Sequence, residues 1–449
     1  MSLQRRLYSR LSSPDALVAM TRLADGIVDG HVLENIGASR AFLCPALLEA
    51  QEYRDLSHDL VKLLELITDA PNHLFGGDIS ATCEAVGLSS FTKDIILQTP
   101  SRREAPMGRA DLMRVVDGFK LLEFNVHSRM GGLENASLAR EILKVPLFRE
   151  FIEKRGLDFV DTLEGISQML WRIARERGVK RPVVAVMDSP TETVFFVSRR
   201  VCSFFNARGF DAFTCHVGEA RMSGGALVVD GKRVDIIYRM FLTSNIEANP
   251  AEIAVIVDAI RIDAVVMVMG FMADLAGNKG TLALLSDPVN HGHLNEAERA
   301  LIARYVPWTR LVRPCRTQWQ GKDLDLLELA LSGQCGFVLK PTSGRGGEGV
   351  TAGWTTEPRV WRATVERAIN GPVTHILQER VLPVPERMAW PTPAGIKLEE
   401  VVLNWGIFVT DGYYNGGIVV GDRPDNNPVF NAGRGAALGC CFHQLPTTG

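Results

Sequence analysis

The spacing of apolar positions changes along the chain, and each change marks an element. Residues 14 to 70 are mainly helical in pattern. Within them, Asp59-Leu60-Val61-Lys62-Leu63-Leu64-Glu65-Leu66-Ile67 carries a broad apolar stripe, as expected of a helix packed on a sheet. Residues 109 to 116 and 119 to 125 then read as two strands around Asp117-Gly118, which predicts a hairpin. A second helical stretch spans roughly residues 133 to 177.

From Arg181 the pattern shortens. Pro182-Val183-Val184-Ala185-Val186-Met187 reads as a strand, followed by a helical pattern to about Arg208. Strands at 211 to 215 and 235 to 238, and a hairpin-like Leu227-Val228-Val229-Asp230-Gly231-Lys232, complete a small α/β unit. A helical region around Asn295 to Arg299 follows. From Phe337 the chain reads as strand-rich, with a strand at Thr374 to Glu379 and turns at Gly344 to Gly349, Asp411-Gly412 and Gly416-Gly417. The expected division is 1–180, 181–275 and 276–449, in a mixed α/β fold without internal repeats.

Composition narrows the class. The 49 basic and 52 acidic residues give a net charge of −3, so no basic field draws nucleic acid or an anionic membrane. With 46% hydrophobic and 22% charged residues a core can form, which excludes global disorder. The most apolar run, Ala264 to Ala273, is far short of the roughly 20 residues a membrane span needs. The N-terminus is basic without the apolar segment of a signal peptide, and the eight cysteines form no C-x-x-C pair. A cytoplasmic protein with reduced thiols is expected.

The stretch Leu339-Lys340-Pro341-Thr342-Ser343-Gly344-Arg345-Gly346-Gly347-Glu348-Gly349 bears the most chemistry. Bare backbone can approach a polyphosphate closely, and Lys340 supplies a positive charge beside it. A Rossmann fingerprint needs a helix next, and Val350-Thr351-Ala352-Gly353-Trp354 does not read as one. A P-loop ends in Gly-Lys-Ser/Thr, which is absent. A strand–loop–strand flap over phosphates remains, with a glycine-rich surface turn as the alternative.

Glu123 and Asn125, two apart on a strand, share one face and offer oxygen ligands of the kind magnesium prefers. Asp111 can join them only under one condition. A strict two-residue loop at Asp117-Gly118 pairs 112 with 123 and sends Asp111 and Glu123 to opposite faces. An odd-length loop or a bulge is required, for which a left-handed Gly118 would serve. The alternative is an exposed polar strand face.

Together these residues resemble the circularly permuted ATP-grasp ligases, most of all the synthetase domain of glutathionylspermidine synthase. Arg109-Ala110-Asp111 and Glu123-Phe124-Asn125 are similar to that family's R-x-D and E-x-N strands. Asn278-Lys279-Gly280 looks like its lysine segment, and Lys340 to Gly347 matches its glycine flap. The carboxylates precede the flap here, the reverse of an ordinary ATP-grasp chain. The resemblance implies a circularly permuted ATP-grasp fold with an inserted α/β unit, and a ligase using ATP and two magnesium ions. It places Asp111, Glu123 and Asn125 on the metal. Lys279, Lys340, Ser343, Gly344, Gly346, Gly347, Gln378 and Glu379 would meet the nucleotide. Arg109, Ser128 and Arg345 would serve the reacting groups. His127 stands where the family has Asp, Met130 where it has a second Ser, and Arg423 lies four positions beyond its late arginine.

The implied reaction joins a carboxylate to an amine through an acyl phosphate. An amino acid, polyamine, peptide or carrier-protein thiol are all compatible acceptors, and so is a homo-oligomer. A small-molecule phosphotransferase and a silent nucleotide-binding subunit are the competing classes. The His291-Gly292-His293 and Cys440-Cys441-Phe442-His443 clusters read as a polar loop and a strand rather than as sites.

Overall fold

The computed structural model describes residues 2–99, 107–189, 195–344, 346–392, 395–424 and 429–445. Its centre is a large mixed sheet. Its strands run in the spatial order Ala46–Leu48, Ala437–Gln444, Tyr413–Asp422, Gly395–Thr410, Met107–Val115 and Gly118–Asn125. Glu386–Thr392 and Leu157–Asp158 pair at its margins. Strands from the two ends of the chain thus lie side by side, and Met107–Val115 runs antiparallel to Gly395–Thr410.

The helix Ala50–Thr68 buries Leu56, Leu60, Leu63, Leu64, Leu66 and Ile67, so the apolar stripe read from the sequence does face the core. A capping box starts this helix, with the Glu49 side chain and Glu52 at the third helical position capping each other's backbone. Where one helical stretch was expected over 133 to 177 there are three, Asn135–Lys144, Pro146–Lys154 and Thr162–Glu176. Pro146 breaks the first two, because it cannot donate to the turn before it.

A second sheet is all parallel, in the order Val266–Val268, Ile236–Arg239, Val183–Asp188 and Asp211–His216. It shares the main apolar core. A third, in the order Thr309–Leu311, His375–Glu379, Phe337–Pro341 and Thr351–Ala352, has its own core. Trp361, Phe337, Leu339, Leu326, Val365 and Leu377 build it beneath the helices Leu326–Ser332 and Pro358–Asn370. The cleft of interest lies between this lobe and the large sheet.

Two turn expectations are corrected. Val115 pairs with Gly118, so the hairpin loop is Val116-Asp117 and Gly118 opens the second strand with φ +119°. Gly416 and Gly417 make no turn; both lie inside Tyr413–Asp422. A Cβ on Gly416 would stand 2.7 Å from the Val160 carbonyl oxygen, and the register against Gly395–Thr410 shifts beside it. Close approach and a bulge, not a reversal, account for that pair. The Asp411-Gly412 turn is present, with φ of 55° and 80°, the two positive values of a tight hairpin.

Candidate active site

Alternation along Met107–Val115 puts Arg109, Asp111 and Met113 on one face, and the register sets Asp111 directly opposite Glu123 and Arg109 opposite Asn125. The bulge this requires sits at Leu122, which is skipped between the pairs Asp111–Glu123 and Leu112–Leu121. Across the other edge Gly406 faces Asp111 and Asn404 faces Met113. A side chain at 406 would collide with Arg109, since a Cβ there would stand 2.9 Å from its Cδ. Glycine leaves the room that the guanidinium fills.

The cleft has a volume of about 620 Å³. Four segments separated in sequence meet in it: the carboxylate hairpin, Lys279, the Lys340 strand running into the glycine loop, and the Gln378 strand. Arg109 grips Asp111 with both arms, Nε to Oδ1 at 2.6 Å and Nη2 to Oδ2 at 3.0 Å, and Nη1 donates to the Gly131 carbonyl. Lys279 Nζ lies 3.1 Å from Glu123 Oε2 and donates to the Gly344 carbonyl at 2.9 Å. Lys340 Nζ donates to Gln378 Oε1 at 2.7 Å and to the Leu122 carbonyl. Asn125 Nδ2 reaches Glu123 Oε1 at 3.4 Å.

The charges press on one another. Burial pushes the Asp111 carboxyl above its ordinary range, and Arg109 offsets this only in part. Burial acts on Glu123 in the same sense, but Lys279 and Lys340 outweigh it and hold that carboxyl at about 2. Burial brings Lys340 down to about 8, against the pull of Glu123.

The glycine loop joins the antiparallel strands Phe337–Pro341 and Thr351–Ala352, a strand–loop–strand arrangement. Gly346, Gly347 and Gly349 have φ of 60°, 74° and 68°, a region that side chains disfavour. Besides Lys279 on the Gly344 carbonyl, two amide side chains tie the loop. Asn278 Nδ2 donates to the exposed Ser343 hydroxyl, and Asn431 Nδ2 donates to the Gly346 carbonyl. Arg345 lies outside the described residues.

The structure thus brings Arg109, Asp111, Glu123, Asn125, Lys279, Lys340, Gly344, Gly346, Gly347, Gln378 and Glu379 to one cleft. Ser343 stands at its margin. Ser128 does not line it: its neighbours His127 and Arg129 do, and its own side chain is buried. Arg423 lines the cleft and is held by Glu399 through Nε and Nη2. Asn404, not singled out from the sequence, also lines it. Its only sequence signal is an amide between Leu403 and Trp405 in an apolar run.

Asp111, Glu123, Asn125 and Asn404 are an all-oxygen donor set suited to a hard cation. Asn404 Oδ1 is buried without a hydrogen-bond partner, an acceptor that a cation would satisfy. Among the described residues no group of three His, Cys, Asp or Glu side chains is poised for a metal, so any ion here would lean on two carboxylates and amide oxygens. The described helices include none long and apolar enough to cross a membrane.

The sequence matches no protein-family description and no curated protein. Its fold is similar to that of a glutathione synthetase-like effector from Globodera pallida in its apo form. The TM-score is 0.58 and the identity 12%, over 90% of this chain and 90% of that one. The chain therefore has a mixed α/β fold of the glutathione synthetase-like kind, and at that identity the likeness speaks for the fold alone.

Proposed function

We propose that the chain is an ATP- and magnesium-dependent carboxylate–amine ligase with a circularly permuted ATP-grasp arrangement. One observation carries the reading: two lysines, two carboxylates and a glycine loop from three distant segments converge in one cleft. The strand neighbours support the permuted order, since 107–115 pairs with 395–410.

In this reading Lys279 and Lys340 leave Glu123 and Gln378 to take nucleotide phosphates, and backbone N–H groups of the glycine loop close over them. Asp111, Glu123 and Asn125, joined by Asn404, hold magnesium, which when bound spreads the charge of the transferring phosphoryl group. Arg109 lies at the carboxylate end, where its permanent charge orients the acid. A carboxylate oxygen attacks the γ-phosphorus and ADP leaves. An amine nitrogen then attacks the acyl carbon and phosphate leaves. The loop's task is to keep water from the acyl phosphate between these steps.

The test is ADP release from MgATP with a panel of acids and amines, with hydroxylamine as trap. ADP together with a hydroxamate is expected. A stable phosphorylated product without hydroxamate would make the protein a phosphotransferase instead. Nucleotide binding without turnover would leave a binding subunit, and no nucleotide binding at all would overturn the reading.

A further inference from the structure

We propose that the acid taken by this cleft is a monocarboxylate with an apolar body, an inference that rests on the ligase reading for its setting. Met130, Val402, Val420, Val429 and Phe430 give the cleft apolar lining, and Val402 and Val420 stand on strands of the large sheet. Val402 and Asn404 alternate on one strand with Gly406, which faces Asp111, and Val420 is the cross-strand partner of Asn404. These valines therefore stand on the same sheet face as the carboxylates, where a polar substrate would call for polar neighbours. Valine fills both places and is only half-buried, as is Phe430. Open apolar surface inside a cleft is what an apolar ligand covers.

The cations agree. Arg423 gives Nε and Nη2 to Glu399. Arg109 is bound by Asp111, which can exchange it for a metal ion, so Arg109 can meet the substrate carboxylate. A second acidic group on the substrate, set against Val402, Val420 and Phe430, would be desolvated there. Asn431 fixes the roof over this wall, because its tie to Gly346 links the 429–431 segment to the glycine loop.

Calorimetric titration of the full chain with magnesium and a non-hydrolysable ATP analogue tests this with three probes: 4-methylpentanoate, 3-phenylpropionate and glutarate. The two apolar acids are expected to bind at least about tenfold more tightly than glutarate, the scale of one misplaced polar group or lost alkyl contact in a pocket. Val420→Arg is expected to invert the order. Should that variant melt early, Phe430→Ser is expected to weaken 3-phenylpropionate by about tenfold and leave glutarate unchanged. Glutarate binding as tightly as the apolar acids overturns the inference. So does an unchanged ratio in a folded variant, or no binding by any probe. Hydroxamate and ADP from glutarate alone would keep the ligase and discard the apolar acid. Selective binding of the apolar acids without ADP release would do the reverse.

Discussion

Asp111 and Glu123 face each other across one hairpin, yet their carboxyl groups are moved in opposite directions. Asp111 is the more enclosed and has one cation in contact, Arg109, and there burial wins. Glu123 has Lys279 in contact and Lys340 within range, and there the cations win. The difference teaches that the number of neighbouring cations, more than position on the strand, decides which carboxylate is held ionised. It also fits the proposed chemistry. The lysines are surplus to what one carboxylate needs, as expected of groups whose other partner is a phosphate chain. Arg109 and Asp111 match one to one.

Removing one cation from each side should break that comparison open, and the largest effect is expected on the arginine side. Arg109→Met leaves Asp111 buried with no cation in contact, which costs about 3 kcal/mol or more at neutral pH. Lys279→Met leaves Glu123 with Lys340, and about 1 kcal/mol is expected. The Arg109→Met loss should shrink towards pH 5. With its carboxyl raised further, Asp111 in the folded variant takes a proton that the unfolded chain still lacks, so stability is recovered as pH falls. Urea unfolding at pH 5 and pH 7.5 measures both. Equal losses in the two variants would dismiss the count of cations as the explanation.

Lys340 sharpens the same contrast from the basic side. Its folded value is about 8 against an ordinary 10.5, so the unfolded chain holds the proton more tightly between those values. A depressed group adds stability above its unfolded value and loses it as pH falls through its folded one. Relative to Lys340→Met, the wild type should therefore gain up to about 3 kcal/mol as pH rises from 8 to 10.5. Taking the difference removes the tyrosines and cysteines, which ionise in this range in the unfolded chain of both proteins. A flat difference across that window would mean that Lys340 is not strained by its burial.

Much of this geometry was legible in the sequence, and the limits are physical. The amphipathic stripe at Leu60 to Ile67, the 183–188 strand and the strand–loop–strand around Gly344 to Gly349 follow from local period and turn chemistry, which the chain carries on its face. Strict alternation also showed that Asp111 and Glu123 needed a bulge to meet. It could not locate it, because a skipped residue leaves no compositional mark when it is a leucine in a strand, and Leu122 is one. Gly416-Gly417 misled because glycine serves close approach as well as turns. The helix Pro358–Asn370 was overlooked although Trp361, Val365 and Ala368 carry its spacing, since Arg359, Arg362, Glu366 and Arg367 dilute it. Pairings such as Lys279 with Glu123 depend on the fold as a whole. Ser128 was placed by resemblance alone, and the neighbouring side chains took the cleft.

The smallest expected effect concerns how each cation is aimed. Arg109 is fixed by its strand, with Asp111 two positions on. Lys279 is the first residue of the helix Lys279–Ser286, where a positive charge opposes the helix dipole, so its placement depends on what surrounds it. Asn278 does two things there: Oδ1 accepts from the Gly280 N–H as the helix cap, and Nδ2 donates to Ser343 on the glycine loop. Asn278→Ser keeps a capping oxygen and loses the tie, so stability should change by only a few tenths of a kcal/mol. Magnesium–nucleotide affinity should fall about fivefold, the scale of one neutral hydrogen bond. Asn278→Ala loses both functions and should cost about 1 kcal/mol in stability as well. If the serine variant binds nucleotide as the wild type does, the link from helix cap to glycine loop does not aim Lys279. The ion pair with Glu123 would then be what holds the lysine in place.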